Sequence, residues 1–145
     1  MSFSMYIIKP EGMGYRKEIR DILERGGLQI IDATEIILTN EILDGLYDNL
    51  QGNVRRELHR FFEDQSVEIG IVKGHNALSR LVRITGKDTN PAKCEEGTIR
   101  KMFGWSEPLL LHGRYYYFGN VIHRPKNIRE LEHDLAIAKR YLIKC

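Results

Sequence analysis

The order of elements in this chain predicts an α+β fold, a ferredoxin-like four-stranded antiparallel sheet with helices packed around it. Three observations carry that expectation. Short β-branched and aromatic runs occur at four places. Between them, apolar residues recur at helical spacing. The resulting order is strand, helix, strand, helices, strand, helix, strand, helix, which makes two crossovers with a split between them. The economical arrangement lays the helices on one face of the sheet. A length of 145 residues suits one domain, 1–145, and no internal repeat, low-complexity tract or linker interrupts it.

The first strand is the apolar run Met5-Tyr6-Ile7-Ile8, stopped by Lys9-Pro10-Glu11-Gly12, which leaves Lys9 at its mouth. Tyr15, Ile19, Ile22 and Leu23 have helical spacing, and Gly26-Gly27 ends that helix. Leu28 to Leu38 reads as a strand with an irregularity around Asp32. Thr39 can cap a helix that carries Ile42, Leu43, Leu46 and Leu50 on one face. A second short helix after Gly52-Asn53 carries Val54, Leu58, Phe61 and Phe62. Val67, Ile69 and Ile71 alternate with Glu68 and Gly70, so 67–72 is a strand. Ala77 to Ile84 reads as a helix closed by Gly86. The segment 87–113 lacks durable periodicity, and structureless segments of that length are functional or disordered. Tyr115 to Ile122 reads as the last strand. Asn127 and Glu130 form a capping-box pattern before a helix with apolar positions 128, 131, 135, 138 and 142.

Composition narrows the function classes. Twenty-two basic and twenty acidic side chains leave a net charge of +2, so no basic stripe argues for nucleic acid. No apolar run approaches the length of a membrane span, and the first residues lack the basic region of a secretory signal. The two cysteines, Cys94 and Cys145, read as free thiols in a reducing cytoplasm, with a Cys94–Cys145 disulfide as the alternative. These features point to a cytoplasmic protein.

The chemistry-bearing residues gather at element ends. His123 closes the last strand just before Arg124-Pro125, where the chain must turn. Alone it reads as a partly buried histidine bonded to backbone. Its company changes that reading: Lys9 ends the first strand, Arg83 lies near the end of a helix, Thr89 and Arg100 lie in the long segment, and Asn120 stands three residues before His123. Each by itself is a solvated polar group. As a set they match what phosphoryl transfer to a side chain requires, because imidazole is nucleophilic at neutral pH and the transferred group spreads negative charge that fixed cations can hold. Neither GxxxxGK[ST] nor GxGxxG occurs, so side chains and bound Mg²⁺ would do the work of a phosphate-binding loop.

Ile8-Lys9-Pro10-Glu11-Gly12, Leu46-Tyr47, Arg83 with Thr89-Asn90-Pro91-Ala92, Gly97-Thr98-Ile99-Arg100 and Asn120-Val121-Ile122-His123 occur in one order. That ordered set resembles the nucleoside diphosphate kinase family, from about Met5 to Ala138. The resemblance implies a ping-pong reaction through a phosphohistidine at His123, with nucleoside triphosphates and diphosphates as partners. It implies that Lys9 and Asn120 hold the ribose, that Tyr47 and Lys9 steady the transferring phosphate, and that Arg83, Thr89 and Arg100 hold the diphosphate. It implies Mg²⁺ carried by nucleotide phosphates rather than by protein ligands, and a homo-oligomer.

The chain departs from the family pattern around His123, where Arg124-Pro125-Lys126-Asn127 stands in place of Gly-Ser and an acidic-serine pair. Asp134 stands where the family has a glutamate that orients the imidazole; it reads equally as a solvated aspartate near a helix start. Val54 or Arg55 falls where the family stacks the base on phenylalanine. The segment between Arg100 and Asn120 is longer than in the family, and its extra apolar residues would form local core or a subunit contact. Two rivals to an active enzyme follow: a catalytically weak or inactive kinase-like module binding nucleotide or protein, and a nucleic-acid-binding domain using the aromatic run Tyr115 to Phe118.

Overall fold

The computed structural model describes residues 1–47 and 49–142. Cys145, and with it the disulfide alternative, lies outside the described residues; Cys94 is a buried free thiol.

Strand β1 (Ser2–Ile8) runs through the centre of a four-stranded sheet. Pro10 opens a short 3-10 turn over Pro10–Tyr15, and α1 (Arg16–Arg25) follows directly. Strand β2 (Gln29–Ile37) breaks register between Ile30 and Asp32, the irregularity expected there. Thr39 caps α2 (Asn40–Leu46), its Oγ1 accepting the Ile42 N–H at 3.2 Å. The helix ends at Leu46, so Leu50 packs from the following turn rather than from the helical face. Then come α3 (Gly52–Phe61), β3 (Ser66–Gly74) and α4 (Ala77–Thr85), which Gly86 stops at φ 110°.

Beyond Gly86 the structure differs from the sequence expectation. The aperiodic segment contains a 3-10 turn at Pro91–Lys93, helix α5 (Ile99–Phe103) capped by Thr98, and strand β4 (Leu109–Leu111). Elements of three to five residues are too short to express a period. Strand β5 (Tyr115–Tyr117) does not join the main sheet; it pairs with β4 as a separate hairpin. Of the expected last strand, only β6 (Ile122–His123) pairs with β1. The expected long strand is broken at Gly119, whose carbonyl accepts the Trp105 N–H at 2.8 Å and where a Cβ would run into the Trp105 ring. Helix α6 (Ile128–Ala138) starts at Asn127, whose side chain accepts the Glu130 N–H; Glu130 answers at the Lys126 N–H, one residue outside the usual box.

The sheet order is β2-β3-β1-β6, all pairs antiparallel, which is the ferredoxin-like arrangement. Helices cover both faces, not one. Alternate residues of β1 explain this, because every residue from Met5 to Ile8 is apolar and buried. Met5 and Ile7 face a core built with α2, α3, α6 and the hairpin, where Leu58, Phe62, Leu111 and Tyr117 are buried. Tyr6 and Ile8 face the opposite core, against Ile19, Leu23, Leu81 and Ile99 of α1, α4 and α5. Each fully buried leucine contributes about 2 kcal/mol. The extended segment thus supplies local core through Leu111 and Tyr117 while leaving Leu110 and Tyr116 exposed. Tyr6 lies across Gly70 on β3, where any Cβ would overlap its ring. Its hydroxyl donates to the buried Glu68 carboxylate at 2.6 Å, which Arg20 also holds. Among the described residues no helix is long and apolar enough to cross a membrane.

Candidate active site

Lys9 leaves the end of β1 as a buried residue, only 4% exposed. Pro10 cannot donate a main-chain N–H and starts the turn, so the chain bends away and the lysine stays in the cleft. Its Nζ donates to Asn120 Oδ1 at 3.0 Å, lies 3.5 Å from Glu11, and sits 4.5 Å and 5.2 Å from the ring centres of Tyr117 and Tyr47. Burial pushes its pKa down, but Tyr47 and Glu11 more than offset this, and the ammonium is held above its ordinary value. Asn120 passes the link onward, its Nδ2 donating to the Thr89 carbonyl at 3.1 Å.

The approach to His123 is strained. Val121 has φ 66°, a conformation β-branched residues avoid, and the Ile122 N–H reaches back to the Asn120 carbonyl at 2.8 Å, closing a γ-turn. Both main-chain groups of Val121 are tied down: its N–H donates to Glu11 at 3.2 Å and its carbonyl accepts the Lys9 N–H at 2.8 Å. Glu11 is itself fixed by the Tyr117 hydroxyl at 3.0 Å. Such strain persists only where the surroundings over-determine it, and here it aims the next two residues.

His123 Nε2 lies 2.8 Å from Asp134 Oδ2, one helical turn and more into α6. Asp134 is 6% exposed, so the solvated reading of this residue does not describe it. An ionised carboxylate only accepts, so Nε2 carries the proton and Nδ1 keeps its lone pair. His133 Nδ1 approaches the other oxygen of the same carboxylate at 3.2 Å.

A cleft of about 470 Å³ is lined by Lys9, Tyr47, Thr89, Arg100, Asn120 and His123 together. Asp134 stands behind His123. Arg83 does not line this cleft; it is exposed on α4 and reaches an adjoining hollow of about 380 Å³ that shares Lys87 with it. Val54 is 9% exposed and packed in the core, so it offers no face to a ligand in this cleft. Sequence reasoning passed over Lys87, Tyr115, Arg124 and Lys126, which also line the cleft. The one available signal was position: Arg124 directly follows His123, and Lys87 directly follows the glycine that stops α4. A hollow of about 690 Å³ between α1, α4 and α5 is lined by no histidine among the described residues.

Arg100 is bound to main chain on almost every side. Its Nη1 donates to the carbonyls of Asp88 (2.9 Å) and Gly86 (3.3 Å), and Nε and Nη2 both reach Ile122 O (3.3 and 2.9 Å). Arg124 Nε donates to Thr85 Oγ1 at 3.0 Å and Nη2 to the same Gly86 carbonyl at 2.6 Å. Burial, and then the charge of Arg124, lower the Arg100 pKa to about 10; burial also lowers that of Arg124. Among the described residues the cleft has five cationic side chains and one carboxylate, Glu130, which suits a phosphorylated anion. The aromatic strand Tyr115–Tyr117, by contrast, buries Tyr117 and is not part of the main sheet surface.

Comparison with known proteins agrees with this chemistry. The family profile described as nucleoside diphosphate kinase matches residues 3–139. A nucleoside diphosphate kinase of Rhizorhabdus wittichii is 34% identical over 116 residues, covering 74% of this chain and 79% of its own. One from Methanocaldococcus jannaschii is 30% identical over 134 residues, covering 90% and 87%. Among solved structures, a transition-state mimic of the Borrelia burgdorferi nucleoside-diphosphate kinase with bound vanadate and ADP superposes with a TM-score of 0.75 at 23% identity, covering 94% of this chain and 85% of that one. A Babesia bovis protein of the same family gives 0.73 at 21% identity, covering 99% and 93%. These structures show the shared fold, and the match over nearly the whole sequence settles the kinship: the chain belongs to the nucleoside diphosphate kinase family, whose members are phosphotransferases.

Proposed function

We propose that this chain moves a phosphoryl group between nucleotides on His123. The observation that carries the reading is the 2.8 Å bond from His123 Nε2 to the buried Asp134 carboxylate, on the wall of a cleft that also holds Lys9, Tyr47, Thr89 and Asn120. The Nδ1 lone pair attacks the γ-phosphorus of a nucleoside triphosphate. The bond to the β–γ bridging oxygen breaks, its electrons leave with the nucleoside diphosphate, and a P–N bond forms. The ring becomes an imidazolium, and Asp134 stabilises that charge without taking the proton. A second nucleoside diphosphate reverses the steps and leaves with the group.

Lys9, fully charged and fixed between two tyrosine rings, is placed to neutralise the phosphate in flight. Asn120, held by Lys9 and Thr89, offers an amide to the ribose. Arg83 would reach the diphosphate only from the neighbouring hollow. Mg²⁺ would enter on the nucleotide phosphates and neutralise their charge. The reading includes a cytoplasmic setting and a homo-oligomer, as the family resemblance implies.

The test is incubation of wild type and His123→Ala with γ-labelled ATP and Mg²⁺, followed by a GDP chase. Acid-labile label on wild type alone, moving to GTP, is the expected result. A wild-type protein that binds ADP yet never takes up label would reassign the domain to nucleotide binding.

A further inference from the structure

Two buried guanidiniums meet at one carbonyl beside His123, and they are not equivalent. Arg100 and Arg124 both donate to Gly86 O, the last carbonyl before the loop that carries Thr89. Both are nearly buried, at 3% and 5% exposure, and neither is in an ion pair among the described residues. A guanidinium has five N–H donors. Arg100 commits four of them to the carbonyls of Gly86, Asp88 and Ile122. Arg124 commits two, to Thr85 Oγ1 and Gly86 O. Thr85 spends its own proton on the Leu81 carbonyl at 2.8 Å, so its oxygen is oriented to receive Arg124.

The uncommitted donors of Arg124 face the cleft. Its Nη1 has no acceptor among the described residues, and the only buried side-chain nitrogen or oxygen there without a partner is Ser4 Oγ. Nη1 is therefore open to the space that Arg124 lines together with His123, Lys87 and Lys126.

We propose that Arg124 is the principal arginine of the phosphate site in this chain, presenting its free N–H fork to the terminal phosphate next to His123, while Arg100 serves mainly as the scaffold that holds Gly86, Asp88 and Ile122 in place. The proposal rests on the phosphotransfer reading and changes which arginine does the binding. Two adjacent guanidiniums, neither of them ion-paired among the described residues, repel one another, and a phosphate between them and His123 removes that repulsion. A fork aimed at oxygen is lost in lysine, so the site discriminates between charge and geometry.

The experiment measures binding of ADP, AMP and inorganic pyrophosphate by calorimetry to wild type, Arg124→Lys, Arg124→Gln and Arg100→Gln, with a thermal melt of each. Arg124→Gln is expected to weaken ADP and pyrophosphate by about thirtyfold and to erase the preference for ADP over AMP. Arg124→Lys, which keeps the buried stem and the charge, is expected to melt near wild type and to recover only part of the affinity. Arg100→Gln is expected to lower the melting temperature most. Unchanged ADP affinity in both Arg124 variants would overturn the proposal. So would equal losses for ADP and AMP, or a collapse of the fold in Arg124→Lys, because either would make the residue structural. Wild type that binds pyrophosphate through Arg124 but forms no phosphohistidine would sink the carrier reading alone; wild type that binds neither ADP nor pyrophosphate would sink the site.

Discussion

Replacing Asp134 by asparagine is the sharpest perturbation of the site, because it changes one atom and reverses a hydrogen bond. The carboxylate oxygen 2.8 Å from His123 Nε2 accepts a hydrogen bond from it. An amide NH₂ in that place donates, and the neutral ring then answers by moving its own proton to Nδ1, the nitrogen that must attack. The variant also withdraws a negative charge from the imidazolium that forms in the reaction. A hydrogen bond to a charged group contributes about 1.5–3 kcal/mol, and opposite charges about 4 Å apart near a protein surface contribute about 4 kcal/mol. These describe one interaction in two ways, so the loss is about 2–4 kcal/mol, or about 30- to 900-fold in the rate of phosphoenzyme formation. Single-turnover mixing with γ-labelled ATP measures that rate directly, and a melt verifies the fold. Asp134→Ala removes the charge but leaves the tautomer free, so it should be no slower than Asp134→Asn. Phosphorylation of the asparagine variant at the wild-type rate would refute the orientation argument, and an alanine variant much slower than asparagine would refute its tautomer component.

Three further outcomes follow from the same geometry. Lys9→Met leaves the Glu11 carboxylate, 3.5 Å from Nζ, buried without its countercharge; it should cost about 3–5 kcal/mol in urea denaturation and abolish labelling of His123. Gly12→Ala would place a Cβ 2.5 Å from the Val121 carbonyl oxygen and 2.9 Å from its Cβ, so the γ-turn must shift; labelling should fall by about a hundredfold with ADP affinity reduced much less. At alkaline pH, burial raises the Tyr6 and Tyr117 hydroxyls above the ordinary 10.0, so their contribution is complete below pH 10 and is lost as pH rises above it. Lys9, also raised, acts in the same direction, whereas Arg100, lowered to about 10, and Arg124, also lowered by burial, oppose it. Stability should therefore fall as pH rises above 10, and Tyr6→Phe should make that fall shallower; a flat urea midpoint from pH 10 to 11.5 would contradict the burial of these groups.

The order and type of the main elements are properties of local sequence, and they were readable. Thr39 and Asn127 cap helices because their side chains reach an N–H three residues away, and the bulge near Asp32 interrupts alternation within a single strand. The residues at element ends also declared themselves, because Lys9, Asn120 and His123 lie beside turns that proline and strained backbone impose. Hidden from the sequence were pairings whose partners are distant or whose geometry depends on packing. Glu11 and Tyr117 meet across 106 positions, and Trp105 at Gly119 is what cuts the last strand short and frees the hairpin. Two apolar faces of one strand could be seen as a hydrophobic run, but only packing decides that helices cover both. Spacing alone left Asp134 equally a solvated surface group; the fold buries it and turns it onto His123. Donor arithmetic divides Arg100 from Arg124, and that arithmetic exists only once Gly86, Asp88 and Ile122 have brought their carbonyls together. The sequence by itself determined which polar groups this protein carries and at which element ends. The tertiary structure decided which of them are already satisfied by protein and which remain for a ligand, because hydrogen-bond saturation is set by through-space neighbours and not by position along the chain.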